Sequence, residues 1–433
     1  MQSSIPPGWQ ELRIGQIARE ISQRNRHSAD IPVLSVTKHN GFVRSSEYFS
    51  RSVHSEDTSN YKIVRKGQFA YATIHLDEGS IALLKDFEHG LISPMYTVFE
   101  ASSALVCSDY LFRCLKRFAL SGRFDPYSNG GVNRRKSISF GDLKAFRFAL
   151  PPLAEQRAIA EVLGIVEDAM TVREASITAI GEAKRAVMRE LLTRGVRRDK
   201  APMQPIPTRW VLGRVAEGVI HIPSDWQLVT LTKVAKLESG HTPDRKEPSY
   251  WDGSIPWISL QDAGALGKLT ISETAEKIGP KGLANSSARM LPAGTVVLQR
   301  TANVGLASVM GREMCTSQHF ANWICGAKLD PYYLQQVFRH MSREWSRLVA
   351  GSVLPDIYMG TFKSLQILLP PLPEQKKIGE IGASFDLQIE HEQDVLSELR
   401  RTHAALAQEL LSGRLRLPES MIARHREKPE RAA

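Results

Sequence analysis

The sequence predicts two α/β globular domains, related by a pseudo-two-fold axis and joined by two long antiparallel coiled-coil helices. Three observations predict this fold class. A seven-residue phrase occurs twice, at Leu150–Gln156 and at Leu369–Gln375, once in each half of the chain. Each copy opens a long stretch with the apolar spacing of a helix. Each copy also follows a region of short β-rich runs, so the chain reads as globule, helix, globule, helix.

The composition indicates a folded protein with a polyanionic partner. The chain has 433 residues, of which 42% are hydrophobic and 24% charged, enough for several buried cores. Its net charge of +10 favours nucleic acid, because cations near phosphates release counterions. No signal peptide or long apolar run occurs, so we expect a cytoplasmic protein. The four cysteines lack metal-ligand or disulfide spacing, so we expect free thiols and no metal site.

The two globular regions are predicted at 1–150 and 222–369. Short β-rich runs alternate there with Gly, Pro and Asn turns, which is typical of mixed α/β domains. The segment Lys66–Thr73 resembles Ala293–Arg300, and their order relative to the doubled phrase is the same. The regions therefore share an architecture, although their strand order cannot be read from the sequence.

Helices and connections complete the predicted outline. One amphipathic helix is expected before each copy of the phrase, at Ser108–Leu120 and at Tyr332–Leu348. Residues 197–221 are charged and rich in proline, as in a linker. Residues 416–433 form a basic, polar tail that we expect to be disordered.

The long helices, predicted at 151–196 and 370–415, carry matching heptad stripes in register. Residues of the two helices are called equivalent when they stand equally far from Leu150 and Leu369, the first residues of the two phrases. In the first helix, the coiled-coil interface is predicted at Ile159, Leu163, Val166, Met170, Arg173, Ile177, Ile180, Val187 and Leu191, with Lys184 at one d position. In the second, it is predicted at Ile378, Phe385, Ile389, Glu392, Leu396, Leu399, Leu406 and Leu410, with Gly382 and His403 at d positions.

A pseudo-two-fold axis would make the helices antiparallel. It would also bring the equivalent residues Arg173 and Glu392 together near the middle of the stripe, so we predict an ion pair there. The alternatives are ordinary core helices and charges that merely extend into solvent.

Motifs of catalysis are missing from the sequence. There is no phosphate-binding loop, no Asn-Pro-Pro-Tyr tetrapeptide for holding a target base, no nucleophile elbow and no His-Glu-x-x-His pair. We therefore predict a non-catalytic chain.

Polar and cationic residues near predicted strand ends and turns are the candidates for DNA contact, because Arg, Gln and Asn suit base edges and Lys suits phosphates. In the first region they are Lys38, His39, Arg44, Thr73, His75, Arg134, Arg135 and Lys136. In the second they are Ser239, His241, Thr242, Gln299, Arg300, Asn303, Gln318 and His319. Each alone could equally be a solvated loop residue, but the set recurs at matching places in both regions.

With these features the chain resembles the specificity subunit of type I restriction–modification enzymes. The resemblance rests on the paired Leu-Pro-Pro-Leu-x-Glu-Gln openings, the two long helices and the run Gly240–Trp257. The endings Glu190–Gly195 and Glu409–Gly413 add to it, so it covers essentially the whole chain.

The resemblance implies two target-recognition domains that each read half of a bipartite DNA site. The helices would set the gap and dock modification subunits, of which two are expected, and restriction subunits would join through the complex. S-adenosylmethionine, ATP and Mg²⁺ would then lie on the partner subunits, with no cofactor on this chain. The first region departs from the pattern around Ser22–His27, so an asymmetric site is expected. Two alternatives stay open: an architectural coiled-coil DNA-binding protein without sequence preference, and a nuclease or methyltransferase with an unrecognised site.

Overall fold

The chain is divided into two units by its internal contacts. The computed structural model describes residues 5–26, 31–38, 40–49, 55, 57–128, 137–196, 202–207, 213–216, 218–350 and 354–426. One unit comprises residues 1–170 with 399–433, and the other comprises residues 171–398.

The first unit is built on a four-stranded antiparallel sheet. Its described strands are β1 (Gln10–Arg13), β2 (Ala18–Ile21), β3 (Leu34–Thr37), β4 (Gly41–Arg44), β5 (Lys62–Arg65), β6 (Phe69–Ala72), β7 (Ile81–Leu83), β8 (His89–Ile92), β9 (Tyr96–Ala101) and β10 (Arg147–Leu150). The sheet order is β2-β9-β6-β7, and the remaining strands pair as β1-β10, β3-β4 and β5-β8. The helices before the doubled phrase are α1 (Ile14–Ile17), α2 (Ser45–Tyr48), α3 (Ser108–Leu120) and α4 (Phe140–Leu143). The long helix α5 (Leu153–Arg194) follows.

The second unit has a larger, five-stranded sheet. Its described strands are β11 (Met203–Pro205), β12 (His221–Pro223), β13 (Gln227–Thr230), β14 (Ala235–Ser239), β15 (Ile255–Ile258), β16 (Thr270–Ile271), β17 (Glu276–Ile278), β18 (Val296–Gln299), β19 (Ala307–Met310), β20 (Cys315–Thr316), β21 (Phe320–Cys325) and β22 (Gln366–Leu369). The sheet order is β14-β21-β18-β19-β16, beside a three-stranded layer β17-β15-β20 and the pairs β13-β22 and β11-β12. The helices are α6 (Pro280–Ala284), α7 (Pro331–His340), α8 (Ser342–Val349) and α9 (Met359–Phe362). The second long helix, α10 (Leu372–Leu410), follows β22, and the short helix α11 (Glu419–Ile422) after it belongs to the first unit.

The two units share a common frame. The order β2-β9-β6-β7 in the first corresponds to β14-β21-β18-β19 in the second, and the pair β1-β10 corresponds to β13-β22. The matched segments Lys66–Thr73 and Ala293–Arg300 contain β6 and β18, which occupy the same place in their sheets. The second unit adds β16 and the three-stranded layer. The repeated architecture predicted from the doubled phrase is confirmed, with unequal additions.

The amphipathic helices were predicted with unequal success. Helix α3 spans Ser108–Leu120 as expected. The single helix predicted over Tyr332–Leu348 is instead two helices, α7 and α8, with a break at Met341. The break lets Trp345 turn back into the core, where it is 3% exposed and its indole N–H donates to the carbonyl of Phe338 at 2.8 Å. A buried Trp that finds such a partner stabilises the bend.

Both long helices follow their predicted stripes. Every described a and d position from Ile159 to Leu191 and from Ile378 to Leu410 is buried or half-buried, and none is exposed. The ends of each stripe join the globular cores: Ile159 and Leu163 pack in the first unit, and Leu191 and Ile378 pack in the second. The middle of the stripe joins neither core.

The glutamine that closes the doubled phrase fixes each helix to its globule. Gln156 donates its amide N–H to the carbonyls of Pro151 at 2.8 Å and Leu105 at 3.1 Å, and its amide oxygen accepts from the backbone N–H of Cys107 at 2.9 Å. Gln375 repeats the pattern with Pro370 at 2.8 Å, Lys328 at 3.0 Å and Asp330 at 2.9 Å. The repetition of the phrase therefore preserves the same set of hydrogen bonds in each unit.

The glutamate before it also contacts the segment that ends a long helix, in each unit by a different route. Glu374 accepts from the indole N–H of Trp226 at 3.0 Å and from the backbone N–H of Val196 at 2.9 Å. Glu155 accepts a two-pronged bond from Arg416 at 2.6 and 2.8 Å. Arg416 is the first residue of the tail that was predicted to be disordered. In its described part, residues 416–426, Arg416 instead pairs with Glu155 of the same unit, which holds the start of the tail in place.

The predicted linker contains secondary structure, where an irregular segment was expected. Within residues 202–223, strand β11 pairs antiparallel with β12, with Met203 opposite Pro223. Prolines are tolerated here because a two-stranded edge needs few backbone donors.

The role of Gln375 can be tested by truncation. Gln375→Ala leaves the Asp330 N–H and two carbonyls without their partner in a buried site, so we expect a loss of about 3 kcal/mol in the free energy of unfolding. The measurement is denaturant unfolding of the full chain. Gln388→Ala, at an exposed position of the same helix, is the control and should change stability by less than about 0.5 kcal/mol. Equal losses in the two variants would contradict the fixing role.

Candidate nucleic-acid interface

In the second unit, strands β14 and β18 end where the neighbouring strand β21 begins. The end of the sheet at this point is called the edge below. Ser239 of β14 lies opposite Ala321, and Gln299 of β18 lies opposite Phe320, so the residues that follow β14 and β18 lie beside those that precede β21. This edge gathers most of the predicted contact residues of the unit.

A backbone framework holds this edge together. The N–H of Arg300 donates to the carbonyl of His319 at 3.0 Å, and the N–H of Ile357 donates to the carbonyl of Arg300 at 3.0 Å. The N–H of Ala302 donates to the carbonyl of Pro355 at 2.8 Å. Ala302 has a φ of +64°, a left-handed conformation that is costly for a residue with a Cβ. The loop after β18 is therefore tied to the segment before α9.

Arg300 and Gln299 belong to this framework. The guanidinium of Arg300 is 15% exposed and donates to Asp356 at 2.6 Å and to the carbonyls of Ile357 at 2.9 Å and Gln318 at 3.0 Å. Gln299 is 1% exposed and donates to the backbone of the same loop. Both were predicted to contact DNA. The structure corrects this for Gln299, which is buried. It gives the Arg300 guanidinium a supporting role, because its Nε and Nη1 donate to groups within the protein.

Other predicted residues of the second unit face solvent. His241, Asn303 and Gln318 are exposed, and the Thr242 hydroxyl donates to Gln318 at 2.5 Å. The backbone of His241 is fixed because its carbonyl accepts from the indole of Trp257 at 3.0 Å. These side chains project from a rigid backbone, as base-reading groups need, and their contact with DNA stays a prediction.

Four predicted residues of the second unit are half-buried: Ser239, Thr242, Arg300 and His319. Ser239 donates its hydroxyl to the adjacent carbonyl of Gly240 at 3.2 Å. Burial, and then the charge of Arg300, lower the pKa of His319 below its usual value, so this imidazole is neutral near pH 7.

Leu354 and Tyr358 are not among the contact residues predicted from the sequence. They are 76% and 78% exposed and flank Asp356, the carboxylate that holds Arg300. Their exposure beside this loop makes them candidates for contact with a partner. The only sequence signal was their place between α8 and the doubled phrase, since their exposure depends on how the segment folds back.

The first unit repeats the framework. The N–H of Ile138 donates to the carbonyl of Thr73 at 2.9 Å, as Ile357 does to Arg300 in the second unit. Thr73 is half-buried, and His75 is exposed with its ring nitrogen 3.0 Å from Glu78. The strand-end position of Thr73 is thus the same as that of Arg300, but a different side chain occupies it.

The remaining candidates of the first unit are divided between described and undescribed segments. Lys38 is exposed, and its carbonyl accepts from Lys116 of α3 at 2.6 Å. Arg44 is exposed and lies over the ring of Phe87 at 5.4 Å. The other candidates lie outside the described residues: His39, Arg134, Arg135 and Lys136.

A buried carboxylate connects the long helices of the second unit to its globule. Asp386 of α10 lies 2.5 Å from the Lys184 ammonium of α5 and 2.8 Å from Arg339, and it accepts from the amide of Gln336 at 2.7 Å. Lys184 and Asp386 are 9% and 7% exposed. Burial lowers the pKa of Lys184, and the charge of Asp386 opposes that effect. One carboxylate thus joins α5, α7 and α10.

The first unit has the corresponding contact with different residues. Glu167 of α5, the equivalent of Asp386, accepts from Arg113 of α3 and lies 3.0 Å from His403 of α10. His403 is the equivalent of Lys184, so the position of the basic side chain is repeated as well. Burial raises the pKa of Glu167, but hydrogen bonds from His403 and Arg113 outweigh it, and the pKa lies below its usual value.

The predicted ion pair near the middle of the stripe is present. Arg173 donates to both carboxylate oxygens of Glu392, at 3.1 and 3.0 Å. Together with Lys184 and Asp386 it shows that residue numbers rise along α5 as they fall along α10, so the helices of the second unit are antiparallel. The Arg173 side chain is 42% exposed, which weakens the pair by solvent screening.

The described residues contain neither a membrane-spanning helix nor a cluster of metal-binding side chains. Among those residues, no helix combines the length and apolarity needed to cross a bilayer. Nor do the described segments bring three or more His, Cys, Asp or Glu together as metal ligands. The four cysteines are free.

Comparison with known sequences gives a family match over both repeats. Residues 6–180 and 223–401 match the model of the type I restriction modification DNA specificity domain. A putative type I restriction enzyme MjaX specificity subunit of Methanocaldococcus jannaschii is 22% identical over 426 residues, or 95% of either chain. The MjaIX specificity subunit of the same organism is 30% identical over 185 residues, which span 42% of this chain and 43% of that relative.

A solved structure has the same fold. The S subunit of a type I restriction-modification system from M. genitalium aligns with a TM-score of 0.57 at 12% identity, over 95% of this chain and 97% of that one. At this identity the likeness concerns the fold, and it agrees with the repeated α/β units and the long helices described above.

The buried carboxylate should matter more than the central ion pair. Asp386→Ala leaves Lys184 and Arg339 without their counter-charge in a buried site, so we expect a loss of about 3–5 kcal/mol in the free energy of unfolding. Glu392→Ala removes a partly exposed pair and should cost about 0.5 kcal/mol. Denaturant unfolding of the two full-length variants compares them. A smaller loss for Asp386→Ala than for Glu392→Ala would refute the assignment.

Proposed function

The chain belongs to the type I restriction–modification DNA specificity family and serves as a DNA sequence-specificity subunit; we propose that each unit reads one half of a bipartite, asymmetric DNA site. The observation that carries the proposal is that both units have the same backbone framework at this edge, but expose different side chains on it. The bond from Ile138 to Thr73 recurs as the bond from Ile357 to Arg300, so the same backbone edge is presented twice. The side chains on that edge differ, as two different half-sites require.

The faces differ in ways that support asymmetry. The second unit presents His241, Asn303, Gln318 and Tyr358 from a sheet enlarged by β16 and a three-stranded layer. In the described part of the first unit, the exposed residues at the corresponding edge include His75 and Met95. Amide and imidazole groups suit base edges, and exposed aromatic or apolar groups suit contacts with thymine methyl groups or the sugar. The net charge of +10 supports attraction to the phosphate backbone.

The partners of the chain are duplex DNA and the other subunits of a type I complex. We infer two modification subunits, because the phrase and the carboxylate contact that position each long helix occur twice. S-adenosylmethionine, ATP and Mg²⁺ are assigned to the partner subunits, and this chain is assigned no catalytic step. The match of the family model to both repeats favours this function over an architectural DNA-binding coiled coil or an unrecognised nuclease or methyltransferase.

We further propose that the helix pair sets the gap between the half-sites. Support comes from the middle of the stripe, where Ile177, Leu396 and Leu399 are buried or half-buried and belong to neither globular core. Because these residues lie on the heptad stripe and pack in neither globule, we infer that the length of the helices can change here without disturbing a core. The heptads nearer each end lack this freedom, because residues such as Ile159 and Ile378 pack in the globules.

The recognition role is tested by the methylation pattern of the host. With the chain present, we expect adenine methylation at a bipartite motif with two different halves, because the two faces differ. Deleting the gene should erase that motif, and genome-wide methylation sequencing detects it. Restoring the chain as Tyr358→Ala should weaken methylation at one half of the motif, or relax the sequence of that half, and leave the other half unchanged. Tyr48→Ala, at an exposed site of α2, is the matched control and should restore the original motif. A chain-independent motif, or one with two identical halves, would overturn the proposal.

The gap-setting role is tested by removing one heptad from each helix. Deletion of residues 171–177 together with 393–399 keeps the stripe in phase and shortens the pair by about 10 Å, or roughly three base pairs of duplex. We expect both halves of the motif to survive with a shorter gap. Deletion from only one helix is the control and should abolish recognition, because the stripes would no longer match. A double-deletion variant that methylates the original motif with its gap unchanged would exclude the ruler.

A further inference from the structure

Cationic side chains converge on one cavity of the second unit, which we call the basic cavity. Its volume is about 1070 Å³, and it lies among α5, α7, α8 and α10, beside the loop that leads into β19. Seven Lys or Arg residues and two carboxylates line it, a formal excess of five positive charges. The arginines on its walls include Arg185, Arg189, Arg214 and Arg343.

The two carboxylates of the cavity are already engaged. Asp386 is held between Lys184 and Arg339, as described above. Glu344 accepts from the guanidinium of Arg347 at 2.9 Å and from the backbone N–H of Gly213 at 2.9 Å. The negative charge is therefore committed to the protein's own groups, and the net potential of the cavity is positive.

Helix α5 provides one wall with regular spacing. Gly181, Arg185 and Arg189 are separated by four residues each, so they lie on one face of the helix with a rise of about 6 Å between them. Arg185 is 72% exposed, and its distant partner Glu182 lies 3.9 Å away. Arginine forks bind phosphate oxygens in pairs, so this row suits consecutive phosphates.

The row is not part of the duplicated framework. The equivalents of Arg185 and Arg189 on α10 are Ala404 and Gln408. The carboxylate contact recurs in both units, but these arginines do not. A feature that helix pairing required would be expected in both copies, so the arginine row belongs to a property of the second unit alone.

We propose that the basic cavity binds a row of phosphate groups, supplied either by a free polyphosphate, such as the triphosphate of a nucleotide, or by the DNA backbone. Only the second source rests on the proposed function. The cavity has a formal excess of five positive charges, Arg185 and Arg189 add forked donors, and the walls from four helices hold these groups in place. Phosphate is the anion that such an arrangement recognises best.

The test compares the full-length chain with the double variant Arg185→Gln/Arg189→Gln. The control, Arg194→Gln/Lys377→Gln, removes the same number of positive charges from one side chain of α5 and one of α10. These two side chains are 65% and 60% exposed, and neither lines the cavity. Titration calorimetry uses inorganic triphosphate and ATP as probes. We expect binding by the parent and the control, and at least tenfold weaker binding by the cavity variant. Arg185→Lys/Arg189→Lys keeps the charge without the forks and should give intermediate affinity.

A second arm distinguishes the source of the phosphates. The salt dependence of duplex binding is measured for the same proteins. If triphosphate does not bind but the slope of log K against log salt falls by about two in the cavity variant alone, the phosphates are those of DNA and the proposal holds. If neither triphosphate affinity nor the salt slope differs between cavity variant and control, the proposal is overturned. Failure of the proposed function is separate, since it would show as a missing methylation motif with the parent chain.

Discussion

The register of the two long helices is the constraint on which the remaining structure depends. One residue inserted in either helix would turn everything beyond it by about 100°. That rotation would carry Asp386 away from Lys184 and separate the glutamine at the helix start from its backbone partners. Loops between the strands face no such limit, because added residues there cost little. The equal spacing between Glu167 and Asp386 and between Lys184 and His403, the same as that between the two phrases, is the trace of this constraint.

Polar groups in the stripe serve pairing more than stability. A buried ion pair gains little over apolar residues of similar size, but a carboxylate or ammonium left alone in the same site is costly. The cost falls on every wrong alignment of the helices, so Asp386 and Glu167 favour one register and one position of α7 and α3. Arg173 and Glu392 act in the same sense with less force, since water reaches them. The two units use different residues for this contact, which shows that the geometry, rather than the side chain, is what both copies share.

In each unit, the residues that hold the edge together differ from the exposed residues that it presents to a partner. At the edge of the second unit, Gln299 and Arg300 are held inside, while Tyr358 and Leu354 extend into solvent. Residue type alone predicts the opposite assignment, because Arg and Gln are common readers of bases and Leu is common in cores. A site that reads sequence needs a rigid support, and the half-buried guanidinium of Arg300 supplies it by joining the loop after β18 to the segment before α9. The faces are free to diverge because their side chains do not hold the support together.

The sequence by itself determined the repeated architecture, the long helices, their stripe and the Arg173–Glu392 pair, because helical periodicity is local and the doubled phrase marks both copies. It also pointed to the edge that gathers the candidate contacts, through the polar residues after predicted strands. Only the tertiary structure decided the strand order, the break at Met341, the supporting role of Arg300 and the exposure of Tyr358. It alone brought Arg185 and Arg189 to the same cavity as Arg343. Each of these depends on segments far apart in the chain meeting in space, and such meetings leave no period or motif in the sequence to read.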